Sequence, residues 1–119
     1  MSKKTQVIGR QGESIAVNYL IDLGYQIVEI NARTAVGEID IVAQDCGIPV
    51  FVEVKTRSSK SLARPEAAVT PKKQASMLAA AETYLQGHPE LPEEFRIDVI
   101  AIVLRPAPPQ ITHFEDALS

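Results

Sequence analysis

The apolar positions change period along the chain, and each change marks an element. Over residues 9–23, Ile15, Ala16, Tyr19, Leu20 and Leu23 recur at helical spacing and Gly24 follows as a stop, which predicts an amphipathic helix. β-Branched runs then predict three strands over about 25–33, 38–44 and 49–57. Thr70-Pro71 has the form of an N-cap followed by proline at the first helical position. The helix it opens runs to about residue 86, packs Met77, Leu78, Ala81, Tyr84 and Leu85, and ends at Gly87. Residues 95–104 are apolar on both faces, the pattern of a central buried strand. Residues 110–115 suggest a last edge strand after the proline-rich turn at 106–109. The order α-β-β-β-α-β(-β) predicts a mixed α/β domain whose central sheet of four or five strands is flanked by helices. Strands joined by short turns should be antiparallel, and the long crossover through the second helix can return a parallel strand. The whole of 1–119 reads as one domain, with a flexible N-terminus over 1–8 and a mobile basic loop over 58–69.

Two segments of the hairpin carry polar residues where an apolar run is expected. In a strand, residues two apart share a face, so Glu38 and Asp40 should point one way and Ile39 and Ile41 the other. Glu53 and Lys55 repeat the pattern against Val52 and Val54. A hairpin folded about Cys46-Gly47 with a four-residue loop, Asp45 to Ile48, sets Asp40 opposite Glu53 and Glu38 opposite Lys55. Opposed side chains on antiparallel strands have Cβ atoms roughly 4.5–5.5 Å apart. Two carboxylates held so close repel unless a cation lies between them. Hard oxygen donors favour magnesium or manganese; the alternative is that both face solvent. Lys55 on the same face stands against that alternative, because acid-acid-base clustering suits phosphate chemistry.

Other polar residues admit two readings each. Glu13 lies at the edge of the first helix's apolar stripe, with Gly9 and Gly12 beside it allowing close backbone approach. It is either a third carboxylate on the same cation or an ordinary first-turn glutamate favoured by the helix dipole. Lys72 and Lys73 stand in the first turn of the second helix, where cations are disfavoured unless an anion docks there. Gln74 begins that helix's apolar stripe, so its amide either reaches a water or phosphate at the site or is a boundary residue. Asp98 interrupts an apolar strand, and the plainer reading is a structural ion pair with Arg96 or another basic group. His88 and His113 receive no role.

Composition modifies this picture only in part. The single Cys46 rules out an internal disulfide and a thiolate zinc cage. No apolar run approaches the ~18 residues of a membrane span, and the N-terminus lacks a signal-peptide core, so a cytoplasmic protein with no membrane role is expected. The net charge of −3 argues mildly against a nucleic-acid binder. Its distribution argues the other way. Residues 54–75 hold six cationic side chains (Lys55, Arg57, Lys60, Arg64, Lys72 and Lys73) against Glu66 alone, whereas residues 76–119 hold seven acidic ones against Arg96 and Arg105. Local potential governs binding more than the total does.

Asp40, followed thirteen residues later by Glu53-Val54-Lys55 on the next strand, resembles the PD-(D/E)xK nuclease signature, with Gly37-Glu38-Ile39 where the signature has its proline. That variant, with Gly9-Arg10-Gln11-Gly12-Glu13, Thr70-Pro71-Lys72-Lys73-Gln74 and Arg96-Ile97-Asp98-Val99-Ile100, looks like the YraN-like proteins. These are small bacterial proteins regarded as distant relatives of archaeal Holliday-junction resolvases. The resemblance spans nearly the whole chain. It implies a restriction-endonuclease-like core, with Glu13, Asp40 and Glu53 around one or two Mg2+ (or Mn2+) ions. Lys55 would orient the attacking water and stabilise the pentavalent phosphate, and Gln74 would assist. The implied reaction is hydrolysis of DNA phosphodiesters, in a homodimer acting on branched DNA. Arg33, Arg57, Lys60, Arg64, Lys72 and Lys73 are the candidates for holding the DNA backbone. The rival expectation is a weakly active or inactive nuclease-fold module that binds nucleic acid or is recruited by a partner such as a helicase.

Overall fold

The computed structural model describes residues 3–59 and 70–118. Two helices, α1 (Lys3–Asp22) and α2 (Pro71–Gln86), flank five strands: β1 (Gln26–Thr34), β2 (Gly37–Asp45), β3 (Ile48–Ser59), β4 (Arg96–Arg105) and β5 (Gln110–Phe114). The sheet order is β1-β2-β3-β4-β5, with β3 and β4 parallel and every other neighbouring pair antiparallel. The mixed α/β architecture expected from the pattern is therefore present. Among the described residues no helix is long and apolar enough to cross a membrane.

The end of α1 and the start of α2 are written in the sequence. At α1 the Tyr25 N–H donates to the Leu20 carbonyl (3.0 Å) and the Gly24 N–H to that of Ile21 (2.9 Å), with Gly24 at φ 94°. This is a Schellman stop, and Tyr25 and Leu20 add its apolar contact in the core. At α2 the Thr70 hydroxyl accepts the Lys73 N–H at 3.1 Å, with Pro71 just inside the helix.

The helices cover opposite faces of the sheet. Ala16 and Leu20 of α1 pack with Ile41, Val50, Val52, Ile100 and Ile102. On the other side Ala80, Ala81 and Tyr84 of α2 pack with Ala32, Val42, Phe51 and Ile97. Each fully buried Leu or Ile side chain contributes about 1.5–3 kcal/mol of apolar transfer, so these two layers hold the helices against the sheet. Gly12 brings α1 against β3 so closely that a Cβ there would overlap the Thr56 side chain.

The hairpin register follows the sequence reading up to a defined point. Ile41 pairs with Val52, Val42 with Phe51, Ala43 with Val50, Gln44 with Pro49 and Asp45 with Ile48. The loop is two residues rather than four: Cys46 (φ 53°) and Gly47 (φ 85°) make the left-handed turn that suits strand twist. Beyond Ile41–Val52 the strands part. β2 stays with β1 as far as Thr34–Gly37, while β3 stays with β4 as far as Ser59–Arg105. Asp40 and Glu53 are thus the first residues past a fork, and the expected pairing of Glu38 with Lys55 does not occur. Glu38 pairs with Arg33 of β1 instead.

Four further expectations are corrected. Residues 3–8 continue α1 rather than forming part of a flexible terminus. Gly9 has open space around it, so only Gly12 serves close approach. Leu78 is exposed, and Ala80 joins Ala81 and Tyr84 as the buried residues of α2. Ile39 and Ile41 do not share a face: Ile41 packs towards α1 and Ile39 towards α2. Of the proposed basic loop, 58 and 59 end β3, and 60–69, with Lys60 and Arg64, lie outside the described residues.

Candidate active site

The fork assembles the site. Where the β2–β3 ladder stops, the Asp40 side chain takes over: its Oδ2 accepts the Val54 N–H at 2.8 Å, replacing a lost strand bond. A carboxylate used as backbone acceptor is fixed in direction. Glu53, one residue before that N–H, is 9 % exposed and faces α2. Its Oε1 lies 3.3 Å from Lys55 Nζ and 3.2 Å from Lys73 Nζ. The alternation predicted for Glu53 and Lys55 therefore holds. The cation penalty in the first turn of α2 is relieved by Glu53 itself, which pairs with Lys73. Gln74 is half-buried one residue on. Lys72 is exposed, as is Arg33, whose guanidinium lies 3.9 Å from Glu38.

The electrostatics agree with convergence of acids. Burial, then the charge of Glu53, push Asp40 up from an ordinary 3.8 to about 7, with Glu13 adding to the rise and the Val54 N–H and Lys73 opposing it. Glu13, on α1 beside the Gly12–Thr56 contact, is also raised. Burial is the main cause, a hydrogen bond from Asn31 works against it, and Glu38 and Glu53 add repulsion. Four acidic side chains thus feel one another across the fork. A divalent cation would relieve this field, and an all-carboxylate donor set suits magnesium or manganese. Among the described residues these acids are not drawn together as tightly as Asp98, His113 and Glu115, whose ligand atoms all lie within 4.8 Å of one another.

That second cluster is the feature sequence reasoning read only in part. The Arg96–Asp98 pair is present and bidentate, at 2.9 and 3.1 Å. His113, given no role, completes it by bonding Asp98 Oδ2 at 2.7 Å and the Tyr19 hydroxyl at 3.1 Å. Arg96 also reaches Asp45 at 3.2 Å and the Tyr25 hydroxyl at 2.6 Å. Burial alone would raise Asp98, but bonds from His113, Arg96 and the Asp116 N–H hold it below its usual value. The Arg96 guanidinium lies 3.5 Å from Glu115 as well as on Asp98, so a fixed cation already occupies the place a metal would take. This network ties the start of β4 to α1, to the end of β2 and to β5.

Residues 12–102 match the model of a family described as "Uncharacterised protein family UPF0102". The chain belongs to the UPF0102 family. A UPF0102 protein of Chlorobium phaeobacteroides (strain BS1) is 49% identical over 96 residues, covering 81% of this chain and 76% of its own. One from Geotalea uraniireducens (strain Rf4) is 48% identical over 111 residues, covering 92% and 87%. A third, from Geobacter metallireducens, is 45% identical over 117 residues and covers 98% and 96%. The family match begins at Gly12 and so takes in Glu13, the fork, α2 and most of β4, which makes the candidate site part of what the UPF0102 relatives align with.

Proposed function

We propose that this UPF0102 protein is a metal-dependent nuclease that hydrolyses DNA phosphodiesters, with branched DNA as the favoured substrate. The observation that carries the reading is the fork itself: Asp40 and Glu53 leave diverging strands at the same level, with Lys55 3.3 Å from Glu53 and Asp40 raised to about 7. Glu13, Asp40 and Glu53 would hold magnesium or manganese, which when bound supplies Lewis-acid polarisation of a phosphoryl oxygen. The remaining steps fall to the chain. Asp40 is held in place by the Val54 N–H, so its free oxygen can orient a water without reorganisation. The Lys55 ammonium, 3.3 Å from Glu53, would donate to the negative charge that builds on the phosphate. Lys73, on Glu53 at rest, is free to turn to a phosphate once Glu53 is otherwise engaged. Arg33, Arg57 and Lys72, with Lys60 and Arg64 outside the described residues, would grip the flanking backbone and make affinity fall with salt. The resemblance to PD-(D/E)xK nucleases and archaeal resolvases supports the same reading and implies a homodimer.

One observation favours a second reading. Two ammonium groups already neutralise Glu53, which suits a nuclease-fold module that binds nucleic acid or a partner such as a helicase without turnover. Incubation of purified protein with linear, flapped and four-way DNA in magnesium or manganese separates the two. Cleavage lost in both Asp40→Ala and Glu53→Ala supports the nuclease. Cleavage retained in both removes these residues from catalysis, and DNA binding without cleavage on any substrate supports the module.

A further inference from the structure

Asn31 lies in the middle of β1, yet its backbone is left-handed, at φ 55°. Asparagine tolerates that region better than most residues, but inside a strand it breaks the pleat. The consequence is visible in the ladder. Ile30 pairs with Ile41 and Ala32 with Ile39, while the pair between them, Asn31 with Asp40, is missing. Face alternation breaks at the same point. Glu29 accepts the Tyr84 hydroxyl of α2 at 2.8 Å, and Ile30 lines a groove with Glu13 and Val17 of α1. Strict alternation would return Asn31 to the α2 side. Instead its side chain hydrogen-bonds Glu13 on α1, and Ala32 rejoins the α2 core. Across the ladder, Ile41 and Ile39 change face around Asp40 in the same way.

This local reversal solves a problem the site otherwise has. Glu53 projects on the α2 side of the sheet and Glu13 descends from α1 on the other. A regular pleat would keep them on opposite sides. We propose that Asn31 is a positioning residue of the metal site: its left-handed backbone opens the sheet opposite Asp40, and its amide holds the Glu13 carboxylate at that opening. The inference rests on the nuclease reading for its metal and goes beyond it in giving β1 a part in building the site. Partners that orient a metal ligand without touching the ion are worth 10–100-fold in affinity.

The test is Mn2+ binding by calorimetry and by loss of the free-ion resonance signal, on the full chain. Asn31→Gly keeps the left-handed backbone and removes the amide; Asn31→Asp keeps a residue tolerant of that backbone and sets a carboxylate against Glu13. Asn31→Gly should weaken Mn2+ binding 10–100-fold, and Asn31→Asp at least as much, with thermal midpoints near that of the unaltered protein. In a Glu13→Gln background, Asn31→Gly should cost nothing further, because the amide acts through Glu13. Equal Mn2+ affinity in the unaltered and Asn31→Gly proteins overturns the assignment and leaves the nuclease reading standing. An undiminished loss in the Glu13→Gln background also overturns it. Absence of Mn2+ binding in the unaltered protein removes the metal reading and this inference together.

Discussion

Asp40→Asn should make the folded protein more stable above neutral pH, although it removes a residue central to the proposed activity. Asp40 holds its proton in the folded chain to about pH 7, chiefly because of burial and the charge of Glu53, whereas the unfolded chain releases it near 3.8. Between those values the unfolded state binds fewer protons, so this carboxyl's contribution is complete at low pH and is lost as pH rises through 7. From 3.8 to about 7, at 1.36 kcal/mol per pH unit, the ceiling is about 4 kcal/mol. Water at this partly exposed side chain screens the cost to about 1–2 kcal/mol, or roughly 3–10 °C in thermal midpoint. Asparagine carries no charge and keeps an oxygen for the Val54 N–H. The assay is urea and thermal unfolding of both proteins from pH 4 to 9 in EDTA. The curves should nearly coincide at pH 4 and separate as pH rises, the variant being the more stable. Added Mn2+ should then stabilise only the unaltered protein. A variant equally or less stable at pH 8 would refute the convergence of carboxylates at the fork.

Gly12→Ala should destabilise the fold by about 1–3 kcal/mol in urea unfolding, because the added methyl overlaps Thr56 and lifts α1, and Glu13 with it, off β3. Asp98→Ala leaves Arg96 and His113 without their shared carboxylate and should cost about 3–5 kcal/mol. Because Asp98 is held below its ordinary value, that contribution is present above about pH 4 and disappears as pH falls through the folded-state value, so acid unfolding curves of the two proteins should converge. Thr70→Ala should cost about 1 kcal/mol in thermal unfolding, since the Lys73 N–H loses its acceptor.

Local signals carried the elements. Thr70-Pro71 and Gly24-Tyr25 specify helix ends through bonds a few residues long, and Cys46-Gly47 fixes a hairpin register that then holds for five pairs. The proximity of Asp40 and Glu53 was legible for the same reason. The fork was not, because it depends on β3 running on along β4, a parallel partner more than forty residues away in sequence, after its pairing with β2 has ended. Period-2 reasoning failed at Ile39 and Ile41 because it assumes an unbroken pleat, and Asn31 breaks it from the neighbouring strand. A lone asparagine among Ile30, Ala32 and Arg33 was the only local sign. His113 could be joined to Asp98 only once β5 was known to pair Ile100 with His113, which brings the two side chains diagonally together. Lys72 and Lys73 looked like a waiting anion site, and the nearest anion turned out to be the chain's own Glu53.

Diffraction from crystals soaked in manganese, with anomalous signal collected at the metal edge, tests the account most directly. It predicts an ion about 2.1 Å from carboxylate oxygens of both Asp40 and Glu53, with Lys73 withdrawn from Glu53. Saturating manganese that leaves Glu53 clasped by Lys55 and Lys73, or that binds away from the fork, would contradict it.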